Sequence, residues 1–228
     1  GDVDRDTVVR MAARYLGSLP GKRAEAIIPG NRKGPVFPAA RQMDVDVISQ
    51  IEKAQLVMAF PTDDMWDIGQ TRRLNILAEI VSERLRLRIR EKLGAAYSPG
   101  AFSHPSRAYK GYGLFIIYIP LAPKLVDTVQ TEVEAIIRDI RQDGVSPEEL
   151  QRALEPTLTG IKDRFRENGY WLNTVLAGAS YQPVQLDWCR SIIAVYASIR
   201  AGDIEQLAQR YLDLSKRAVI RARSAGGT

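Results

Sequence analysis

The sequence predicts an α+β fold: a two-layer domain with a mostly antiparallel or mixed β-sheet and several helices packed on it. Three observations carry that reading. Strand-like segments cluster in the first half of the chain, joined by hairpin-length links. Amphipathic helical segments dominate the second half. No repeat, low-complexity tract or strong linker separates the two. A doubly wound parallel sheet would alternate strand and helix throughout. With 228 residues and 45% hydrophobic content, the chain can bury one sizeable core. It is expected to form a single domain over residues 1–228.

The first element is a helix over 4–17. Val8, Met11, Ala12 and Tyr15 recur at helical spacing, Asp4 and Asp6 suit the positive end of the dipole, and Gly17 and Pro20 stop it. Gly1-Asp2 precedes this helix with no apolar strand ahead of it. That predicts a sequence that starts inside a longer polypeptide and lacks a strand of its own sheet. Pro20 to Pro38 is rich in Gly, Pro and Lys and reads as an irregular connector.

Strands are predicted at Val36–Val47 and Lys53–Pro61, the second apolar enough to be central. A helix comes next, from Asp67 to Glu83, with Leu74, Leu77, Ile80 and Val81 on its apolar face. The next residues, R-L-R-L-R-I-R, alternate with period two. Periodicity alone there argues for a strand. Gly94 breaks the element, and Ala95–Ser103 and Gly111–Pro120 read as antiparallel strands joined by a His104–Lys110 loop.

Helices then fit Pro123–Gln142, with a stripe of Leu125, Val129, Val133, Ile136, Ile137 and Ile140, and a segment opening at Ser146-Pro147-Glu148-Glu149. The latter is a capping box with proline at the first helical position; Pro156 is expected to kink this helix. Tyr170–Ser180, Asp187–Ser198 and Asp203–Leu212 complete the helices, and Arg217–Ala222 is a last strand.

Composition excludes several functions. No apolar run approaches the roughly 20 residues of a membrane-spanning helix. The net charge of +5 is spread over a mixed surface, which argues against nucleic-acid binding. One cysteine, Cys189, and one histidine, His104, cannot build the common zinc frameworks. H-E-x-x-H and H-x-x-E-H each need two histidines. Cys189, flanked by Trp188 and Ile192, reads as a packed thiol, and His104 as a loop residue without ligand partners. The Asp2-Asp4-Asp6 run lacks the glycine and glutamate of a calcium loop. Residues 17–22 fall one residue short of a phosphate loop, and Arg23 stands where its Ser or Thr belongs.

The informative segment is Leu85–Pro99, LRLRIREKLGAAYSP. A helix ends in Arg90-Glu91-Lys92, a glycine turn comes after it, and Tyr97-Ser98 open a strand. It resembles the R-E-K-x-G-x-A-Y-S segment in the zinc-free, C-terminal domains of the pitrilysin, insulinase and mitochondrial processing peptidase family. Gly1-Asp2-Val3-Asp4 followed by Tyr15-Leu16-Gly17-Ser18-Leu19-Pro20 is similar to that family's G-D-x-D … Y-L/F-G-x-L-P opening. Gly144-Val145-Ser146-Pro147-Glu148-Glu149-Leu150 is similar to its G-x-S/T-x-E-E-L helix start. The three stand in the same order over most of residues 1–165.

The resemblance implies a pitrilysin-like metallohydrolase fold and makes Arg84–Lys92 a helix despite its alternation. It implies a divided active site. A zinc-bearing domain of the same or a partner chain carries H-x-x-E-H, and this chain binds no cofactor of its own. The metal-free half encloses a peptide or unfolded polypeptide like the second shell of a clam. Arg90 and Tyr97 are then the substrate-binding residues, with Arg88 a rival for the arginine's role. Arginine offers fixed donors to peptide carbonyls, and a tyrosine hydroxyl donates to a developing oxyanion. The alternative is a non-catalytic assembly subunit of the same ancestry. For location, the bacterial periplasm and the cytoplasm both fit.

Overall fold

A computed structural model of the chain describes residues 2–21, 34–94 and 98–226. The chain forms two compact units, residues 1–34 and 35–228.

In the first unit, α1 spans Arg5–Tyr15. Its N-cap is Asp4, whose carboxylate accepts from the Thr7 N–H at 2.7 Å. The helix expected at 4–17 is therefore present. Its regularly spaced Val8, Met11 and Tyr15 are exposed rather than buried. Most of the expected connector, residues 22–33, lies outside the described residues.

The second unit is a five-stranded mixed sheet in the order β1-β5-β2-β4-β3. The strands are β1 (Gln42–Ser49), β2 (Ala54–Thr62), β3 (Gly100–Pro105), β4 (Gly113–Leu121) and β5 (Ala218–Gly226). β2 is central, as its apolar run implied. Three pairings are antiparallel, and β1–β5 is parallel. β2 and β4 bury alternate residues, which marks a sheet packed on one face by helices.

The helices are α2 (Ile68–Leu85), α3 (Val126–Gln142), α4 (Pro147–Arg164), α5 (Val184–Ser198) and α6 (Ala201–Tyr211). The core lies where Leu56, Met58 and Phe60 of β2 and Phe115 and Ile117 of β4 meet Leu74, Leu77, Ile80 and Val81 of α2. The α3 stripe Val129, Val133, Ile136, Ile137 and Ile140 belongs to the same cluster. The α2 and α3 residues among these are ones that helical spacing placed inward.

Several boundaries differ from expectation, each for a local reason. The first strand starts at Gln42, not Val36. Pro38 cannot donate to a ladder, and the chain turns there, with the Ala39 N–H bonded to the Phe37 carbonyl and Ala40 at φ 57. His104 lies within β3 and not in a loop, since the ladder runs on to Pro105↔Gly113. Pro156 does not break α4. The Thr157 hydroxyl takes the Ala153 carbonyl at 2.9 Å, and the helix continues to Arg164. The helix expected at Tyr170–Ser180 is a short π-helix, Tyr170–Leu176. Residues 95–97, the start of the expected Ala95 strand, are outside the described residues.

Two buried or half-buried arginines organise the helical layer. Arg72 of α2 is only 3% exposed and donates to the Trp188 carbonyl at 2.5 Å and the Ser191 hydroxyl at 3.2 Å, joining α2 to α5. Burial pushes its pKa down. Arg84, at the end of α2, grips the start of α4. Its Nε and Nη2 donate to the two Glu149 oxygens at 2.8 and 2.9 Å, and Nη2 also reaches the Gly144 carbonyl at 2.8 Å.

Glu149 additionally completes the capping box. It accepts from the Ser146 N–H at 3.1 Å while Ser146 Oγ accepts from the Glu149 N–H at 3.2 Å. Gly144, at φ 75, supplies the left-handed turn that brings α3 round to this cap. The G-V-S-P-E-E-L motif is thus a latch between α2 and α4.

Arg84 holds the Glu149 carboxyl below its usual range. A depressed carboxylate stabilises the fold above its unfolded pKa, and that contribution fades as pH falls through the folded value. Glu149→Gln is expected to cost about 1–2 kcal/mol at pH 7, after discounting for solvent screening. Denaturant midpoints of the two proteins should converge as the pH is lowered from about 4.5.

Candidate functional site

The arginine-rich segment continues α2 as a π-helix, Arg86–Lys92. Its period-two alternation hides a period of four. Leu85 and Ile89 are fully buried, while Leu87 is 42% exposed. The arginines divide in the same way. Arg84 and Arg88 point to neighbouring helices, whereas Arg86 and Arg90 line a groove. A strand would have placed all four on one face.

Arg88 is tied to α3. Its Nε donates to Glu132 at 2.6 Å and its Nη1 to Asp139 at 2.7 Å. The side chains are about a third to a half exposed, so the pairs contribute less than about 1 kcal/mol each. Arg88→Ala is expected to lower the denaturation midpoint slightly, by no more than about 1–2 kcal/mol of stability.

Arg86 is held by Glu83, at 2.7 and 2.9 Å, and also by Glu91. These carboxylates raise its pKa. Arg90 is exposed and lines the groove. Tyr97 lies outside the described residues.

The groove has a volume of about 1050 Å³. Helix α2 packs against both β3 and α4, and residues of all three line it. Small side chains keep it open, among them Ala78 and Ser82 of α2, Ala101 of β3, and Ala153 and Gly160 of α4. β3 is the last strand on this side of the sheet. It is pinned by Ser82, whose Oγ accepts from the Ala101 N–H at 2.8 Å and donates to the Ala101 carbonyl at 3.3 Å. Both backbone groups that Ala101 turns outward are therefore satisfied by α2.

His104 and Phe102, ring centroids 6.3 Å apart, form part of the groove lining. The sequence singles out Arg90 but does not show the groove that it lines. The only hint was the spacing of four between Glu79, Glu83 and later residues on α2.

The described residues do not fit a catalytic zinc ion. The single histidine lies on β3. The single cysteine lies on α5, where the Tyr170 hydroxyl approaches its sulfur at 3.6 Å. Among the described residues no group of three or more His, Cys, Asp or Glu converges.

The family model described as "Peptidase M16 inactive domain" matches residues 1–156. The chain belongs to the peptidase M16 family, as its inactive domain. An "Uncharacterized zinc protease" of Rickettsia bellii is 24% identical over 229 residues, covering 96% of this chain and 51% of the relative. A "Probable zinc protease PqqL" of Haemophilus influenzae is 26% identical over 182 residues, covering 75% of this chain and 19% of the relative.

The fold agrees with solved structures. A protease from Helicobacter pylori superposes with a TM-score of 0.81 at 14% identity, over 97% of this chain and 53% of that one. A peptidase M16 inactive domain from Pseudomonas fluorescens gives 0.75 at 20%, over 100% and 52%. The M16 inactive domain described here thus spans about half the length of the Rickettsia relative, whose name identifies it as a zinc protease.

Proposed function

We propose that this M16 inactive domain is the substrate-binding, non-catalytic half of a zinc-dependent endopeptidase, and that residues 1–228 are one domain of a longer protein. The zinc site belongs to another domain of the same chain or to a partner chain. The substrate is a peptide or unfolded polypeptide enclosed between the two halves. The observation that supports this reading best is the division of the arginines. Arg88 is committed to α3, while Arg90 lines a groove large enough for a peptide segment.

In that role the Arg90 guanidinium donates to a peptide carbonyl near the cleavage site, using its fixed fork of N–H groups. Tyr97 comes seven positions after Arg90, across the Gly94 turn at φ 58. Its hydroxyl donates to the oxyanion that forms when the scissile carbonyl is attacked. Neither residue supplies the nucleophile. The metal, when bound by the other half, activates water and polarises the carbonyl. This chain holds and orients the peptide.

The test compares Arg90→Ala with Arg88→Ala in the full-length zinc-loaded protein. Loss of peptide cleavage in the first alone supports the reading. Equal loss in both, or in neither, rejects it.

A further inference from the structure

The groove is asymmetric in charge along α2. Its lining residues on that helix and its π-helical continuation run from Asn75 through Glu79, Glu83 and Arg86 to Arg90. Four carboxylates line the groove, and three are occupied. Glu83 accepts two bonds from Arg86. Glu149 is latched to Arg84. Glu155 accepts from Gln151 Nε2 at 2.7 Å. Glu79 is exposed and makes no hydrogen bond or ion pair among the described residues.

Two more arginines, Arg152 and Arg164 of α4, line the groove, and neither is hydrogen-bonded or ion-paired to Glu79 among the described residues. Arg164 donates to the Gly160 carbonyl of its own helix at 3.2 Å. The charge of Arg152 acts on Glu83, Glu148 and Glu149. Ser103 Oγ, in the groove lining, is buried without a hydrogen-bond partner among the described residues.

We propose that Glu79 selects a basic side chain of the bound peptide, a lysine or arginine, at a fixed distance from the position held by Arg90. The inference rests on the reading of the groove as the peptide site. Glu79 and Arg90 are eleven positions apart on one continuous helical element, about 16 Å at roughly 1.5 Å per residue. An extended chain advances about 3.3 Å per residue, so the two contacts sit about five peptide residues apart. One end of the groove then binds a carbonyl through a cation, and the other binds a cationic side chain through a carboxylate. Such a pair fixes register as well as composition.

The experiment uses the full-length protein and internally quenched peptides in which a single lysine is moved through a glutamine background. The readout is the ratio of kcat/KM for each lysine peptide to that of the all-glutamine peptide. The expected result is a preference of about 10-fold confined to one position, about five residues from the cleavage site, that weakens as salt is raised. In Glu79→Gln the ratio at that position should fall to about one, and in Glu79→Lys it should fall below one. Glu79→Asp should restore part of it. Glu79 is exposed, so these changes leave the core intact.

A preference that persists in Glu79→Gln, or no positional preference in the wild type, overturns the proposal. Arg90→Ala keeps the two readings apart. If it impairs cleavage while Glu79→Gln leaves the ratio unchanged, only the Glu79 assignment fails. If Arg90→Ala cleaves all peptides normally, the groove itself is not the peptide site.

Discussion

Arg90→Ala in the full-length protein is expected to lower kcat/KM for peptide cleavage by about 100-fold while zinc content stays at the wild-type level. The magnitude reflects the interaction removed. A guanidinium bonded to a peptide carbonyl contributes about 1.5–3 kcal/mol as a charged hydrogen bond. A donor aimed at charge that develops in the transition state contributes somewhat more. The partition between constants reports which applies. If Arg90 holds the peptide equally before and during reaction, KM rises. If it acts only as the carbonyl is attacked, kcat falls. Arg90→Lys should recover a minor part, because lysine keeps the charge but not the planar fork. Arg88→Ala provides the comparison, since its partners Glu132 and Asp139 lie on α3.

The second large effect is on stability. Phe60→Ala is expected to destabilise the chain by about 3–5 kcal/mol. Phe60 is fully buried, lies on the central strand β2, and stands opposite Phe115 of β4 in the register. Truncating it removes the transfer energy of the ring and leaves a cavity beneath α2 that a close-packed interior cannot refill. Urea unfolding should show a lower midpoint with an unchanged slope. An effect below about 1 kcal/mol would mean that this ring does not sit in a packed core. The same packing positions the groove, because α2 rests on the sheet and lines the groove with Glu79 and Ser82, and its π-helical continuation lines it with Arg90.

Local chemistry made much of this legible. The stripes of α2 and α3, the Ser146–Glu149 capping box and the apolar run of β2 each arise from neighbours a few residues apart. What stayed hidden is non-local. The parallel pairing of β1 with β5 joins Gln42 to Val219, and no property of either segment names the other. The latch of Arg84 on Glu149 and the pin of Ser82 on Ala101 depend on how helices and strand meet. The groove exists because small residues from three elements coincide, so its depth has no signature in any one of them.

The Arg84–Lys92 stretch shows the limit most clearly. A period of two contains a period of four, and the choice between strand and helix came from the resemblance alone. The geometry then supplied what the alternation concealed, by sending Arg88 to α3 and Arg90 to the groove.

The most direct test of the divided site is zinc content measured together with peptidase activity, on this chain alone and on the full-length protein. Residues 1–228 alone are expected to hold no stoichiometric zinc and to cleave no peptide, and the full-length protein to hold zinc and cleave peptide. Zinc bound at one per chain with peptide cleavage by residues 1–228 alone would contradict it.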